Sequence, residues 1–321
     1  MKKNIIILFA VLIVFSCKKE NETEEKIAEI PVEEIAIERF DKLFFETKPE
    51  NLPGLKKKFP FLFPANVPDA EWVEKQNNEF ERKLYTEVQK KYPDLDTLQQ
   101  NITSLYRHIK FYYPETPRPR VITLVYDNLD MKCVYEDGLI LIPLSLYLGK
   151  DNELYVSSMD KYHLQEHEPS QIVPDIVTAF SSGKIAPPAD RTLLSLMVFY
   201  GKQLYLKDLL IPDVGDNDKI GYTKEQEAWA EVNEEEIWRY FVDRKLLFDN
   251  DSKLPGRFIN PAPFSKFYLE LDNESPGRLG QWLGWQIVRA YAQNNKNVPL
   301  QELMATDART IFENSKYKPK K

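Results

Sequence analysis

The stretch KYHLQEHEPSQIVPDIVTAF, Lys161 to Phe180, holds two of the chain's three histidines, and its reading separates a metal-bearing helix from a structural one. His163, Glu166 and His167 spell H-x-x-E-H, in which two imidazoles one turn apart grip zinc and the carboxylate activates water. That chemistry needs both rings on one stable helix face. Pro169 follows two residues after His167 and disfavours the α conformation at Glu168, and neither SSMDKY before nor EPSQ after supplies an apolar face to seat such a helix. The histidines are therefore expected in a solvated loop. The helix is expected further on, with Pro174 in its first turn, where the missing amide costs nothing.

Beyond this point helical patterns dominate. Asp190 is placed to cap a long helix carrying Leu193, Leu194, Met197, Val198, Gly201, Leu204 and Tyr205, and Thr223 with Gln226 forms a capping box before a second. Ser275-Pro276 opens PGRLGQWLGWQIVRAYAQ, Pro299 opens a shorter helix, and the basic tail KYKPKK is expected to fray. Toward the N-terminus the pattern changes. VITLVY, 121–126, is a β-branched run that predicts a buried strand, and KCVY-EDG-LILIPL predicts a hairpin, because Asp137-Gly138 supplies the positive φ of a tight turn. Residues 32–40 predict a further strand. Residues 69–91 and 95–109 carry amphipathic helical stripes, with His108 one step off the second stripe as a boundary histidine. The fold class is α+β, mainly helical, with a small mixed sheet near residues 118–143.

The first residues, MKKNIIILFAVLIVFSC, combine two lysines, a short apolar run from Ile5 to Phe15, and a small residue before Cys17. The run is about half the length that spans a bilayer. Residues 1–16 are therefore expected to be a lipoprotein signal peptide, cleaved to leave Cys17 lipidated at the new N-terminus. Residues 17–31, including KKENETEEKIAE, are charged and nearly free of apolar groups, and are expected to act as an acidic tether. Residues 32–321 are expected to form a single globular domain. With Cys17 lipidated, only Cys133 remains, so no internal disulfide is available. A composition 43% hydrophobic, with 18 Phe, 17 Tyr and 5 Trp, supports a large core instead. The net charge of −7 lacks the basic footprint that nucleic-acid binding requires.

Other candidate sites have plainer readings. Asp213, Asp216 and Asp218 alternate like calcium ligands but lack the closing glutamate at the required distance, which leaves a polar loop. LDNESPGR, 271–278, gathers two acids and an arginine at a helix start, where Asp272 or Ser275 is placed to cap and binding of a substrate carboxylate, with Arg278, is the alternative reading. Trp282 and Trp285, with Gly280 and Gly284, form a helix face with notches for close approach. No G-x-S-x-G elbow, Walker loop, G-x-G-x-x-G or C-x-x-C is present.

The lipidation signal, QIVPDIVTAF, TLLSLMVFYGKQLYLKDLLIP, KIGYTKEQEAWAEVNEEEIWRYF, RFINPAPFSKFYLELDNESPGRLGQWLGWQIVRAYAQNN and IFENSKYKP together resemble the GldB family of gliding motility lipoproteins. The resemblance covers most of the mature chain and is densest over its last 150 or so residues. It implies a lipid-anchored component of the cell envelope, at the outer membrane, working with the gliding apparatus and the protein-secretion system tied to it. The family is also distantly similar to zincin metallopeptidases with an H-E-x-x-H helix. Laid on this chain, the first histidine falls at Pro174, the glutamate at Asp175, the second histidine at Thr178, and the later glutamate at Tyr200 before Gly201. That set implies a degenerate, zinc-free site and no cofactor. The function expected is non-catalytic docking or stabilisation of other machinery proteins, with Arg278, Trp282 and Trp285 as a partner surface. The alternatives are a zinc-dependent peptidase using His163 and His167, or a lipoprotein that binds peptide or glycan.

Overall fold

A computed structural model describes residues 22–128, 132–157, 159–269 and 272–320. The expected signal peptide and Cys17 lie outside these residues. The chain enters through a short helix over 22–28 (α1), then strand β1 (Ile37–Arg39), α2 (Phe40–Glu46), α3 (Leu52–Lys58), α4 (Asp69–Asn77), α5 (Glu79–Lys91) and α6 (Asp96–Tyr112). The sheet follows, with β2 (Arg120–Leu124), β3 (Val134–Glu136) and β4 (Leu139–Pro143). Two single-turn helices, α7 (Glu153–Val156) and α8 (Lys161–Leu164), lead to the helical half. That half comprises α9 (Ile172–Ser181), α10 (Leu193–Leu210), α11 (Asp216–Ile220), α12 (Lys224–Val232), α13 (Glu234–Asp243), α14 (Leu254–Phe258), α15 (Leu279–Asn294), α16 (Leu300–Ala305) and α17 (Ala308–Ser315).

The sheet order is β1-β2-β4-β3. β1 and β4 both run parallel to β2, with Val121 between Ile37 and Ile140. β3 returns antiparallel to β4 through the predicted turn, where Asp137 and Gly138 both adopt positive φ, at 46° and 76°. β3 is consequently an edge strand beside α9. Val121, Ile122, Ile140 and Ile142 are buried in one continuous core with α9, α10 and α15, so the mixed α+β class holds.

α10 and α15 cross at backbone distance. A Cβ on Gly284 would overlap the Met197 carbonyl, and one on Gly201 would overlap the Gly284 backbone. Of the two glycine notches expected on α15, Gly284 makes this contact, whereas Gly280 receives Phe258 and Ile259 at the end of α14.

Several boundaries differ from expectation for local reasons. The 69–91 stripe is two helices, because the Asn78 side chain accepts the Phe80 and Glu81 amides and starts α5 afresh. Thr192, not Asp190, caps α10; Asp190 accepts hydrogen bonds from the Thr192 amide and hydroxyl and the Ser195 hydroxyl. α15 starts at Leu279, with Arg278 left-handed at φ 60°. Asp272 caps no helix, its carboxylate being spent on the 267–269 amides. The tail is docked, not frayed: the Tyr317 hydroxyl donates to Glu234 at 2.6 Å and its ring meets Trp238 edge-on. The acidic tether is likewise shorter than its composition implied. Ile27 on α1 is buried and Glu24 reaches His108 Nε2 at 3.2 Å, so residues 22–31 are part of the folded body.

Candidate functional site

The first turn of α9 carries Pro174 and Asp175, two of the four positions the family resemblance singled out. Asp175 there lies under two groups from elsewhere: the Lys132 ammonium at 3.4 Å and the Tyr147 hydroxyl, which donates to Oδ2 at 2.9 Å. Lys132 also contacts Glu166 Oε2 at 3.3 Å. The other Glu166 oxygen accepts from Arg278 Nη1 at 2.9 Å. Arg278 in turn donates to the Gly221 carbonyl and covers the Tyr222 ring. Four charged side chains from four separate segments thus form one alternating chain.

Burial pushes the Glu166 carboxyl up, but Arg278 and Lys132 outweigh it and hold its pKa below the ordinary carboxylate value. Burial pushes Lys132 down, and Asp175 and Glu166 outweigh that, keeping it charged. Behind this chain lies Lys207 of α10, almost wholly buried, whose ammonium donates to the Lys219 carbonyl at 2.7 Å. Burial pulls its pKa down to about 8. Cys133 Sγ is 3.3 Å from the Tyr147 hydroxyl, and burial pushes the thiol well up, which leaves it inert.

The degenerate-site positions meet here only in part. Pro174 and Asp175 lie in the first turn of α9. The Thr178 hydroxyl donates back to the Pro174 carbonyl at 3.0 Å, and Tyr200 of α10 stacks edge-on with Phe199. A proline without a donor, a threonine bonded to its own helix and a carboxylate between an ammonium and a phenol do not fit a zinc ion. Among the described residues no three His, Cys, Asp or Glu side chains are placed to hold a metal.

The two histidines do not share a helix face. α8 ends at Leu164 and residues 165–167 turn as a separate 3-10 element. His167 is buried, not solvated: its Nδ1 is 2.7 Å from the Leu146 carbonyl and its ring packs on Tyr155. Burial lowers its pKa. His163 packs against Tyr162. The third histidine, His108, is buried with Nδ1 against the Ser104 carbonyl, which places it inside the core edge.

Trp282 and Trp285 are core residues and offer no surface to a partner. Both are almost fully buried; Trp285 Nε1 donates to Asp208 at 2.8 Å, and Arg289 covers its ring. Arg278 is engaged by the chain's own Glu166 carboxylate, not by a substrate. Asp216 pairs with Arg289 at 2.7 Å, and Asp218 accepts from Ser170 and Gln171, so these acids are spent on protein donors. Lys132 and Lys207 were not singled out by sequence; Lys207 is marked only by its burial in α10.

A groove of about 780 Å³ opens between edge strand β3 and α9, lined in part by Tyr113, Cys133, Tyr135, Phe180 and Lys184. The buried hydroxyls of Tyr113 and Tyr135 have no hydrogen-bond partner among the described residues.

The family model described as gliding motility protein GldB matches residues 20–319. The chain belongs to the GldB family. Its role accordingly lies in gliding motility, and the Lys132–Glu166–Arg278 chain, α9 and the groove all fall within the matched region. No curated protein and no solved structure matches the chain. No helix of the described residues is long and apolar enough to cross a membrane.

Proposed function

We propose that this GldB-family protein is a non-catalytic component of the gliding apparatus and its associated secretion machinery, lipid-anchored through Cys17 at the outer membrane. It docks or stabilises other proteins of that machinery. The observation that supports this is the fate of Asp175. It is the one ionisable acid among the four positions a zincin would use, and it is held between Lys132 and Tyr147 instead of facing an open site. A charge network closed on itself serves stability better than turnover, since a catalytic acid or base needs a substrate proton within reach.

Metal analysis of the dialysed mature protein tests the non-catalytic part. Zinc at background level and normal gliding with His163→Ala are expected. About one tightly held zinc per chain, lost with His163→Ala and His167→Ala, overturns it. Fatty-acid labelling tests the anchor: Cys17→Ala should abolish both label and membrane retention, and a variant that keeps either sinks the anchoring claim.

The unpaired Tyr113 and Tyr135 hydroxyls favour a second reading, in which the groove beside β3 holds an extended peptide or glycan. Tyr135 sits opposite Ile140 on the edge strand of the hairpin and lines the groove. Calorimetric titration with short extended peptides and oligosaccharides, using wild type against Tyr135→Phe, decides it; no heat from any of them removes this reading.

A further inference from the structure

We propose that the tip of the loop between α3 and α4, built on Phe61 and flanked by Lys57, Lys58 and Arg120, is a second membrane contact, which docks on the anionic phospholipid surface of the bilayer that holds the anchor. The inference rests on the Cys17 anchor proposed above and adds to it the face that the body turns to the lipid.

Residues 51–68, NLPGLKKKFPFLFPANVP, carry three lysines and no acid, in a chain whose net charge is −7. Phe59 and Phe63 are buried, their rings 5.0 and 5.8 Å from that of Phe40, and between them the backbone makes one 3-10 turn over Pro60–Leu62. Phe61 at the crest is 46% exposed, and Pro60, Pro64 and Ala65 beside it also face water. Two buried rings and two prolines hold the crest in place, so the apolar tip meets a surface with little further loss of conformational freedom.

Cations surround this tip. The Arg120 guanidinium lies 5.1 Å from the Phe59 ring centre and 5.4 Å from that of Phe61, and the Lys58 ammonium lies 5.0 Å from Phe59. Two acids reach the group: Asp69 pairs with Lys56 at 2.6 Å, and Glu38 is shared by Lys58 at 3.3 Å and Arg120 at 2.6 Å. Lys57 is exposed and has no ion pair among the described residues. Four cations against two acids leave positive charge in excess around an exposed ring. That combination suits the interface of an anionic bilayer, where the ring settles at headgroup level and the lysines meet lipid phosphates.

The start of the chain selects lipid over an acidic protein. Arg120 opens β2, and Arg118, two residues ahead, pairs with Glu33 at 2.5 Å and donates to the Glu34 carbonyl. β1 and β2 are parallel, so this is the end of the sheet at which both begin. Residues 29–32 alone separate Glu33 from α1, whose Glu24 reaches His108 near the end of α6, the helix that leads into β2. The anchor thus emerges at the end of the sheet that carries the tip, and the five residues from Cys17 to Glu22 span at most about 17 Å. A tip tethered this closely meets the bilayer at high effective concentration, so a modest intrinsic affinity suffices.

The test uses the full mature lipidated chain in phosphatidylethanolamine vesicles with and without phosphatidylglycerol. Ala65→Cys accepts an environment-sensitive thiol dye at the tip, since Cys133 is buried and its thiol inert. Val232→Cys, at a position 82% exposed on α12, is the reference. With phosphatidylglycerol present, the dye at 65 is expected to shift to the blue and to be quenched by brominated lipid, and the dye at 232 to do neither. Phe61→Ser should remove the quenching, and Lys57→Ala should lower the ratio of docked to undocked tip about fivefold. Flotation of the vesicles reads the anchor separately. A dye at 65 that stays in water on chains that float overturns this inference and leaves the anchor standing, whereas chains that do not float remove both. Quenching unchanged in Phe61→Ser, or unchanged without phosphatidylglycerol, overturns it as well, and a blue shift without vesicles assigns the tip to a second copy of the chain instead.

Discussion

Lys207 shows what a single charged residue does inside this core. Its ammonium is almost completely buried and bonded to a carbonyl, not to a carboxylate, so burial lowers its pKa to about 8. In the unfolded chain a lysine titrates near about 10.4. Between those values the unfolded state holds a proton that the folded state has released, and stability therefore rises with pH. Below pH 8 the folded state must carry the charge, and the cost is fully present. Lys202 on the same helix, bonded to the Met304 and Thr306 carbonyls, is also pulled to about 8 and adds to the slope. Buried tyrosines such as Tyr92 and Tyr222, pushed well above their ordinary value, reverse the trend above about pH 10, where the unfolded phenols lose protons first. Urea unfolding should thus show the midpoint climbing from pH 8 to 9.5. Lys207→Met should flatten the climb and add about 1–2 kcal/mol at pH 7; an unchanged slope in that variant would contradict the account.

At the scale of elements, the crossing of α10 and α15 organises the helical half, and the sequence marked its notch at Gly284 without naming the helix that fills it. Glycines at 280 and 284 beside Trp282 and Trp285 mark a helix that another backbone approaches, because a notch is useful only where something fills it. Gly284→Ala would drive a Cβ into the Met197 carbonyl, which neither helix can avoid without moving. A loss of about 3 kcal/mol is expected, read as a fall in thermal midpoint. Gly256→Ala is the matched control. Gly256 lies within α14 with nothing near its Cβ position, so alanine there should be neutral or stabilise by up to about 1 kcal/mol. The hairpin, α6, α10 and the capping box at Thr223 were likewise legible, since each is written in local periodicity or turn chemistry. The Lys132–Glu166–Arg278 chain was not. Its members lie 34 and 112 residues apart, and no local pattern records which lysine meets which glutamate. For the same reason Trp282 and Trp285 passed for a surface: their spacing fits a binding face as well as a buried one, and only the position of α10 decides.

For the whole molecule, the anchor proposed at Cys17 gives the N-terminal segment a role in how the body would stand on a membrane. Composition marked residues 17–31 as a free tether, yet Ile27 is buried against the body and Glu24 reaches His108. With lipid on Cys17, as proposed, the five residues to Glu22 reach no further than about 17 Å even when fully extended. With that proposed anchor, the docked helix α1 would hold the body close to the bilayer, while release of the segment as far as Glu34 would lengthen the tether about threefold. Ile27→Asp places an unpaired charge in a buried site, and such a site relaxes by opening at its weakest boundary, which is here a seven-residue helix rather than the core. Trypsin should then cut at Lys26 in the variant much faster than in wild type, while the thermal midpoint of the body stays within about 2 °C, because Ile27 lies outside the main hydrophobic cluster. A midpoint that falls together with the new cleavage would instead make α1 part of the cooperative core, and the stand-off would be fixed.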